Sequence, residues 1–171
     1  MIAVLLGVTL LARSIDPAHS TATFSVQHIY VEHVTGTVPI VDGTVTFDPT
    51  TLAPAKVTAT LDATKLRTGD DDRDAALQAT DWFDTKKYPT WSFTSTSVTP
   101  AGPSSCTIDG LLTMHGVTHP ERLDVTIAGT PEHPLYHAVA KIDRKVFGMS
   151  VTRLDPVIGN PVDVTLDVVL K

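Results

Sequence analysis

Between Thr21 and Tyr30 the side chains alternate in character with a period of two. Ala22, Phe24, Val26, His28 and Tyr30 take one face, while Thr21, Thr23, Ser25, Gln27 and Ile29 take the other, with Ile29 the one apolar residue on the polar side. Successive side chains of a strand point to opposite faces, so this segment suits a strand that is dry on one side and wet on the other. The same period returns at Val57, Ala59, Leu61 and Ala63 against Lys56, Thr58, Thr60 and Asp62. It returns again at Val162, Val164, Leu166, Val168 and Leu170 against Asp163, Thr165 and Asp167. One-sided strands of this kind belong to antiparallel sheets. The 26 Thr and 20 Val make up over a quarter of the 171 residues, and β-branched side chains fit a pleated, half-buried surface.

Further strands are expected over Val38 to Asp48, Trp91 to Thr99, Thr107 to His115, Arg122 to Ala128 and Leu135 to Asp143. That brings the total to about eight, spaced as in a meander. Turns fall at Asp48-Pro49, Ala101-Gly102-Pro103, His115-Gly116 and Thr130-Pro131, where Gly supplies positive φ and Pro removes a donor. Asp70 to Ala79 reads differently, with good helix formers and acidic residues in the first turn, so a short helix is expected between strands. Its aspartates lack the glycine and glutamate positions of a calcium-binding EF-hand loop. About eight strands with one dry face each can close into a barrel or stack as a sandwich; a closed barrel of that size holds side chains or one small ligand.

A formal net charge of −6 with 13 Lys and Arg gives no basic field for nucleic acid. Cys106 is the lone cysteine, so intrachain disulfides and cysteine-based zinc sites are excluded. The apolar run Met1 to Ala12 is too short to span a bilayer and matches the hydrophobic region of a secretory signal. Residues 1–14 are therefore read as a signal-peptide remnant, with a native N-terminal strand as the alternative, and residues 15–171 as a single domain. The seven histidines prompt a metal hypothesis, but His115 and His119 flank a turn without a third ligand at an obvious spacing, so no metal site is expected. Nor does the chain carry a Gly-x-Ser-x-Gly elbow or a phosphate-cradling glycine loop.

Four stretches in order carry a family resemblance. The first is Ile15-Asp16 with His19-Ser20, Phe24-Ser25-Val26 and His28; the second is Arg73-Asp74 with Leu77, Trp82-Phe83-Asp84, Tyr88-Pro89 and Phe93-Thr94-Ser95-Thr96. The third runs from Asp109 to Thr118 (DGLLTMHGVT), and the fourth joins Arg144, Phe147-Gly148-Met149, Ile158-Gly159 and Val162. From Ile15 to the C-terminus the chain resembles the YceI-like family of bacterial polyisoprenoid-binding proteins. Two departures stand out: Trp82 where the aromatic pair is usually two Phe, and Val38-Pro39 where a Phe is common.

The resemblance implies an all-β fold, an extended antiparallel eight-stranded lipocalin-like β-barrel with a short helix between strands. It implies a periplasmic or secreted protein that is not an enzyme, needs no cofactor, and binds a hydrophobic small-molecule lipid, a polyisoprenoid or isoprenoid quinone. No nucleic acid and no stable membrane span is expected, and dimers occur in the family. The ligand-binding residues expected on this reading are Phe24, Val26, His28, Leu61, Trp82, Phe83, Trp91, Phe93, Leu112, Met114 and Phe147. For each, the alternative role is packing in a closed core. His28 would either be satisfied structurally or meet a quinone oxygen. Arg73-Asp74 is expected to form a structural pair at the barrel mouth. An envelope stress-response or interaction module, with lipid incidental, is the rival function, because fold does not fix function.

Overall fold

The computed structural model describes residue 7 and residues 9–28, 32–149 and 157–171. Ten strands form one antiparallel sheet: β1 (Leu11–Ser14), β2 (Thr21–His28), β3 (Glu32–Thr37), β4 (Ile40–Phe47), β5 (Pro54–Asp62), β6 (Thr90–Gly102), β7 (Ser105–Met114), β8 (Val117–Gly129), β9 (Pro134–Asp143) and β10 (Ile158–Val169). The spatial order is β1-β4-β5-β6-β7-β8-β9-β10-β2-β3. From β4 to β10 the sheet is the expected meander, and β2 then returns beside β10. The sheet curls until its two sides meet around residues 14–16. Ile15 N–H donates to Gly43 O on β4 (2.9 Å), while Asp16 N–H donates to Val169 O on β10 (2.8 Å) and Lys171 N–H to Ser14 O (3.0 Å).

Two strands more than the expected eight are present, β1 and β3. β1 lies within the stretch read as a signal remnant, and its four residues pair with Phe47 to Thr44 of β4. Residues 1–6 and 8 of that stretch are outside the described residues, as are Ile29 and Tyr30. β3 buries only Val34 and Gly36, too sparse a pattern to signal a strand. β4 starts at Ile40 and not at Val38, because Pro39 has no N–H to give to a ladder and Val38 N–H bonds instead to Ala22 O (3.0 Å). The helix α1 (Asp71–Gln78) matches its expectation. Asp70 caps it by accepting from Arg73 N–H, and Asp71, Asp72 and Asp74 fill the first turn, where the helix dipole favours negative charge. The β7–β8 hairpin turns on His115 (φ 53°) and Gly116 (φ 74°), the two positive φ values that a two-residue primed turn requires.

Two groups of apolar residues make up the interior. One gathers Ile15, Val45, Phe47, Leu52, Ile108, Val125 and Ile127 around Tyr136, whose hydroxyl donates to Leu52 O (2.9 Å). The other gathers Val38, Ala63, Leu66, Trp91, Met114, Phe147 and Met149 under the segment from β5 through α1 to β6. Two phenyl rings rest against glycines of neighbouring strands. A Cβ at Gly36 would meet Phe24 Cζ at 2.3 Å, and one at Gly110 would meet Phe93 Cζ at 2.3 Å. Only glycine leaves room for those rings at these two positions.

Candidate functional site

Inward-facing apolar residues of a packed barrel are buried, yet here many are only half-buried. Phe24 and Val26 on β2, Leu61 on β5, Leu112 on β7, and Val162, Val164, Leu166 and Val168 on β10 all retain accessible surface. The reason is a cavity of about 350 Å³ inside the curled sheet, which these side chains line. Members of both interior groups wall it, among them Ile15 and Tyr136 from one and Val38 and Met149 from the other. α1 and the segment after it supply Arg73, Ala76, Leu77, Trp82 and Phe83.

The structure brings together Phe24, Val26, His28, Leu61, Trp82, Phe83, Trp91, Phe93, Leu112 and Met114 on the wall of this one cavity. Phe147 is not on the wall. It is fully buried at the end of the 3₁₀ turn Arg144–Phe147, where its carbonyl meets His115 Nδ1 (2.9 Å) and its ring meets the edge of His119. His28 lines the cavity but is not sealed inside it: its side chain is 33% exposed, with Glu32 3.7 Å away. Among the wall residues not expected as ligand-binding were Tyr136, Ile142, Arg144 and Met149. For Tyr136 and Ile142 the signal existed in the alternation of β9, whereas Arg144 reads as a surface cation and is 3% exposed.

The polar groups of the wall are few, and most are engaged. Thr23 Oγ1 donates to Thr165 O. Arg144 donates to the carbonyls of Met149, Ile158 and Gly159, and its guanidinium lies 5.9 Å from the Trp82 ring. Arg73 and Asp74 do not pair with each other, contrary to the expected structural pair. Both hold Thr68: Arg73 Nε donates to Thr68 Oγ1 (2.8 Å) and Nη2 to Thr68 O (3.1 Å), while Asp74 Oδ1 accepts from Thr68 N (2.7 Å) and Oγ1 (2.6 Å). Burial pushes the Cys106 thiol up, which disfavours the thiolate a nucleophile would need. Tyr136 is likewise raised by burial, with Cys106 adding to the rise.

Trp91 packs against Phe83 with ring centroids 4.7 Å apart, and its buried Nε1 finds no acceptor among the described residues. A buried donor left unpaired costs about 1–3 kcal/mol. Trp91→Phe removes that donor and keeps most of the ring burial, so its unfolding free energy by urea titration is expected within about 1 kcal/mol of the parent chain. Trp91→Ala is expected to lose about 3–5 kcal/mol.

Outside the cavity, burial raises Glu121 above the ordinary glutamate value of 4.5, and Asp143 adds to the rise while His119, 3.2 Å away, opposes it. A carboxyl raised in the fold favours folding when protonated. Its contribution is fully present below the ordinary value and is lost as pH rises through the raised one. Glu121→Gln is therefore expected to unfold at a higher temperature than the parent at pH 7, with the gain vanishing below pH 4.5. Thermal melts at both pH values read this directly.

A family model described as the YceI-like domain matches residues 14–170. The protein YceI of Escherichia coli O6:H1 is 36% identical over 144 residues, which span 81% of this chain and 74% of that protein. The crystal structure of Burkholderia cenocepacia BcnA superposes with a TM-score of 0.83 at 24% identity, over 92% of this chain and 99% of that one. A polyisoprenoid binding domain from Saccharophagus degradans, implicated in plant cell wall breakdown, superposes with a TM-score of 0.71 at 14% identity, over 95% and 99%. Likenesses this low in identity establish the shared fold.

Proposed function

The chain belongs to the YceI-like domain family, and from that premise we propose that it is a non-catalytic protein that sequesters or carries a long-chain isoprenoid lipid, an isoprenoid quinone being the favoured class. The observation that carries this reading is the set of half-buried apolar side chains facing an unfilled interior of about 350 Å³. That volume lies at the lower end of the ~300–1,000 Å³ usual for small-molecule sites. A protein gains nothing in stability by leaving such side chains without partners. A prenyl chain supplies those partners, at about 0.8 kcal/mol per CH₂ removed from water before ordering costs are subtracted. The polyisoprenoid-binding description of the Saccharophagus degradans domain supports the same ligand class.

Both tryptophans of the chain, Trp82 and Trp91, line the cavity, so a ligand entering it changes their emission. Titrating a tetraprenyl alcohol into the delipidated protein is expected to give a saturable change at one equivalent. Unchanged emission, with no retention of the alcohol in equilibrium dialysis, would overturn the reading.

An envelope location, periplasmic or secreted, goes with this proposal and rests on the apolar run Met1 to Ala12. Cleavage after Ala12 would leave Arg13 and Ser14, whose partners on β4 are Val45 and Thr44. Intact-mass measurement of the exported protein is expected to show Met1 to Ala12 missing; an exported chain that still begins at Met1 would contradict it.

A further inference from the structure

Resting on the lipid-binding reading, we propose that the end of the sheet carrying the β7–β8 turn is a docking surface for an anionic lipid bilayer, from which the carried lipid is loaded. Segments distant in sequence are joined there. Asp84 (φ 44°) turns the chain back, its carbonyl accepting from Lys87 N–H (2.9 Å) and Tyr88 N–H (2.8 Å). The Tyr88 ring then lies against Gly116 of the β7–β8 turn, where a Cβ would meet Tyr88 Cε1 at 2.5 Å, and its centroid is 5.4 Å from that of His115. His115 Nδ1 is 2.9 Å from Phe147 O, which brings the 3₁₀ turn Arg144–Phe147 to the same end. This joined tip presents Lys86, Lys87, Val117 and Val146 to solvent, all exposed, beside the half-buried Tyr88. Lys65 and Lys141 are paired with carboxylates, whereas Lys86 and Lys87 have no such partner among the described residues. The Lys87 ammonium stands 5.1 Å from the centroid of the Tyr88 ring.

The chemistry of the tip selects a bilayer over a protein partner. A stable protein interface covers about 800 Å² on each side, whereas these residues sit on three tight turns. Small apolar side chains beside lysines and a tyrosine suit the headgroup layer instead. The valines enter it, the tyrosine ring spans its polar and apolar sides, and the lysine stems lie along it while the ammonium groups reach the phosphates. Asp81 and Asp84 on the same segment offset part of the lysine charge, and the whole chain carries −6, so the attraction acts at contact and not at range. At ~0.1 M salt the Debye length is about 10 Å, and carboxylates farther away than that are largely screened. The position also suits loading. β7, β9 and β2 end, and β8 and β10 begin, on one rim of the antiparallel sheet, with Met114 opposite Val117 and His28 opposite Ile158. Two cavity-wall residues stand on that rim: His28, whose side chain is 33% exposed, and Met114, the residue before the turn.

Cosedimentation of the full chain with vesicles free of isoprenoid tests the assignment. One set is phosphatidylcholine alone and the other equal parts phosphatidylcholine and phosphatidylglycerol, both at ~0.1 M salt. The parent is expected to bind the mixed vesicles about tenfold tighter than the neutral ones and to come off them at ~1 M salt, where the Debye length is about 3 Å. A lysine at an anionic surface strengthens binding about fivefold, so Lys86→Gln with Lys87→Gln is expected to bind the mixed vesicles about 25-fold more weakly. Val117→Asp with Val146→Asp is expected to abolish binding. All four side chains lie outside the cavity wall, so either pair should take up tetraprenyl alcohol from solution as the parent does, while drawing it more slowly from mixed vesicles. Equal binding of the parent to both kinds of vesicle would overturn the assignment, as would binding that survives both pairs of substitutions. So would a tip that joins two copies of the chain, seen as self-association that the same substitutions abolish while vesicles are ignored. A parent that binds mixed vesicles but takes up no alcohol from solution would instead refute the lipid-binding reading itself. Should the valine pair fail to fold, the lysine pair and the salt dependence decide the matter.

Discussion

Val164→Trp is expected to lower affinity for a tetraprenyl lipid by about a hundredfold or more while leaving the fold as stable as before, a loss of about 2.7 kcal/mol in binding. Val164 sits on β10 between Ala140 of β9 and Phe24 of β2, on the inner face, half-buried because it looks into the void. In a packed core an indole at such a site would overpack and cost about 1–3 kcal/mol. Here the new ring has space to occupy and gains the contacts a ligand would make. Binding falls because the ring fills the volume the prenyl chain needs. Isothermal titration and urea denaturation, run together, separate the two effects. Val139→Trp, on the exposed outer face of β9, is the control and should leave both quantities unchanged. A Val164→Trp chain that binds as tightly as its parent would place the lipid outside the cavity.

Phe47→Ala is expected to act the opposite way, destabilising the chain by about 3–5 kcal/mol. Phe47 is fully buried at the end of β4, packed in the group that holds Ile15, Leu52 and Tyr136. It also pairs in register with Leu11 of β1 and Pro54 of β5, so its loss weakens the corner where the two sides of the curl meet. A cavity opened there has no ligand to fill it and collapses only in part, which is why the full cost is expected. Phe24, half-buried on the cavity wall, should cost clearly less when truncated, because the space beside it is already open. Equal losses for Phe47→Ala and Phe24→Ala in urea denaturation would show that the interior is packed alike throughout. That would remove the distinction between core and site.

The period-two alternation made most of this architecture legible. The inner faces of β2, β5 and β10 are the residues the pattern assigned to them, because an antiparallel strand with one wet face must write its orientation into the sequence. β1 escaped because a short apolar run reads equally as export signal or strand. β3 escaped because Gly36 stands where the pattern needs a side chain, a position reserved for the ring of Phe24. Ten of the expected ligand-binding residues share one cavity, but the sequence alone could not separate a wall residue from a packing one. Phe147 shows why: its apolar character is the same as that of Phe93, and what removes it from the wall is the 3₁₀ turn that ends β9 and points it elsewhere. Arg144 was invisible as a wall residue for the converse reason, and Arg73 was expected only as half of a structural pair at the barrel mouth. Charged side chains are normally surface features, and only the tertiary contacts with Thr68 and with the carbonyls of Met149, Ile158 and Gly159 hold them beside the void.

On the proposed function, the interior of the curled sheet is a lipid site and not a defect of packing. Native mass spectrometry of the protein purified without detergent, followed by organic extraction of the same sample, tests it most directly. The expected result is a complex heavier than the bare chain by one prenyl lipid, the lipid recovered in the extract, and its return to the delipidated chain at one equivalent. A bare chain before extraction that also takes up no added tetraprenyl lipid would contradict it.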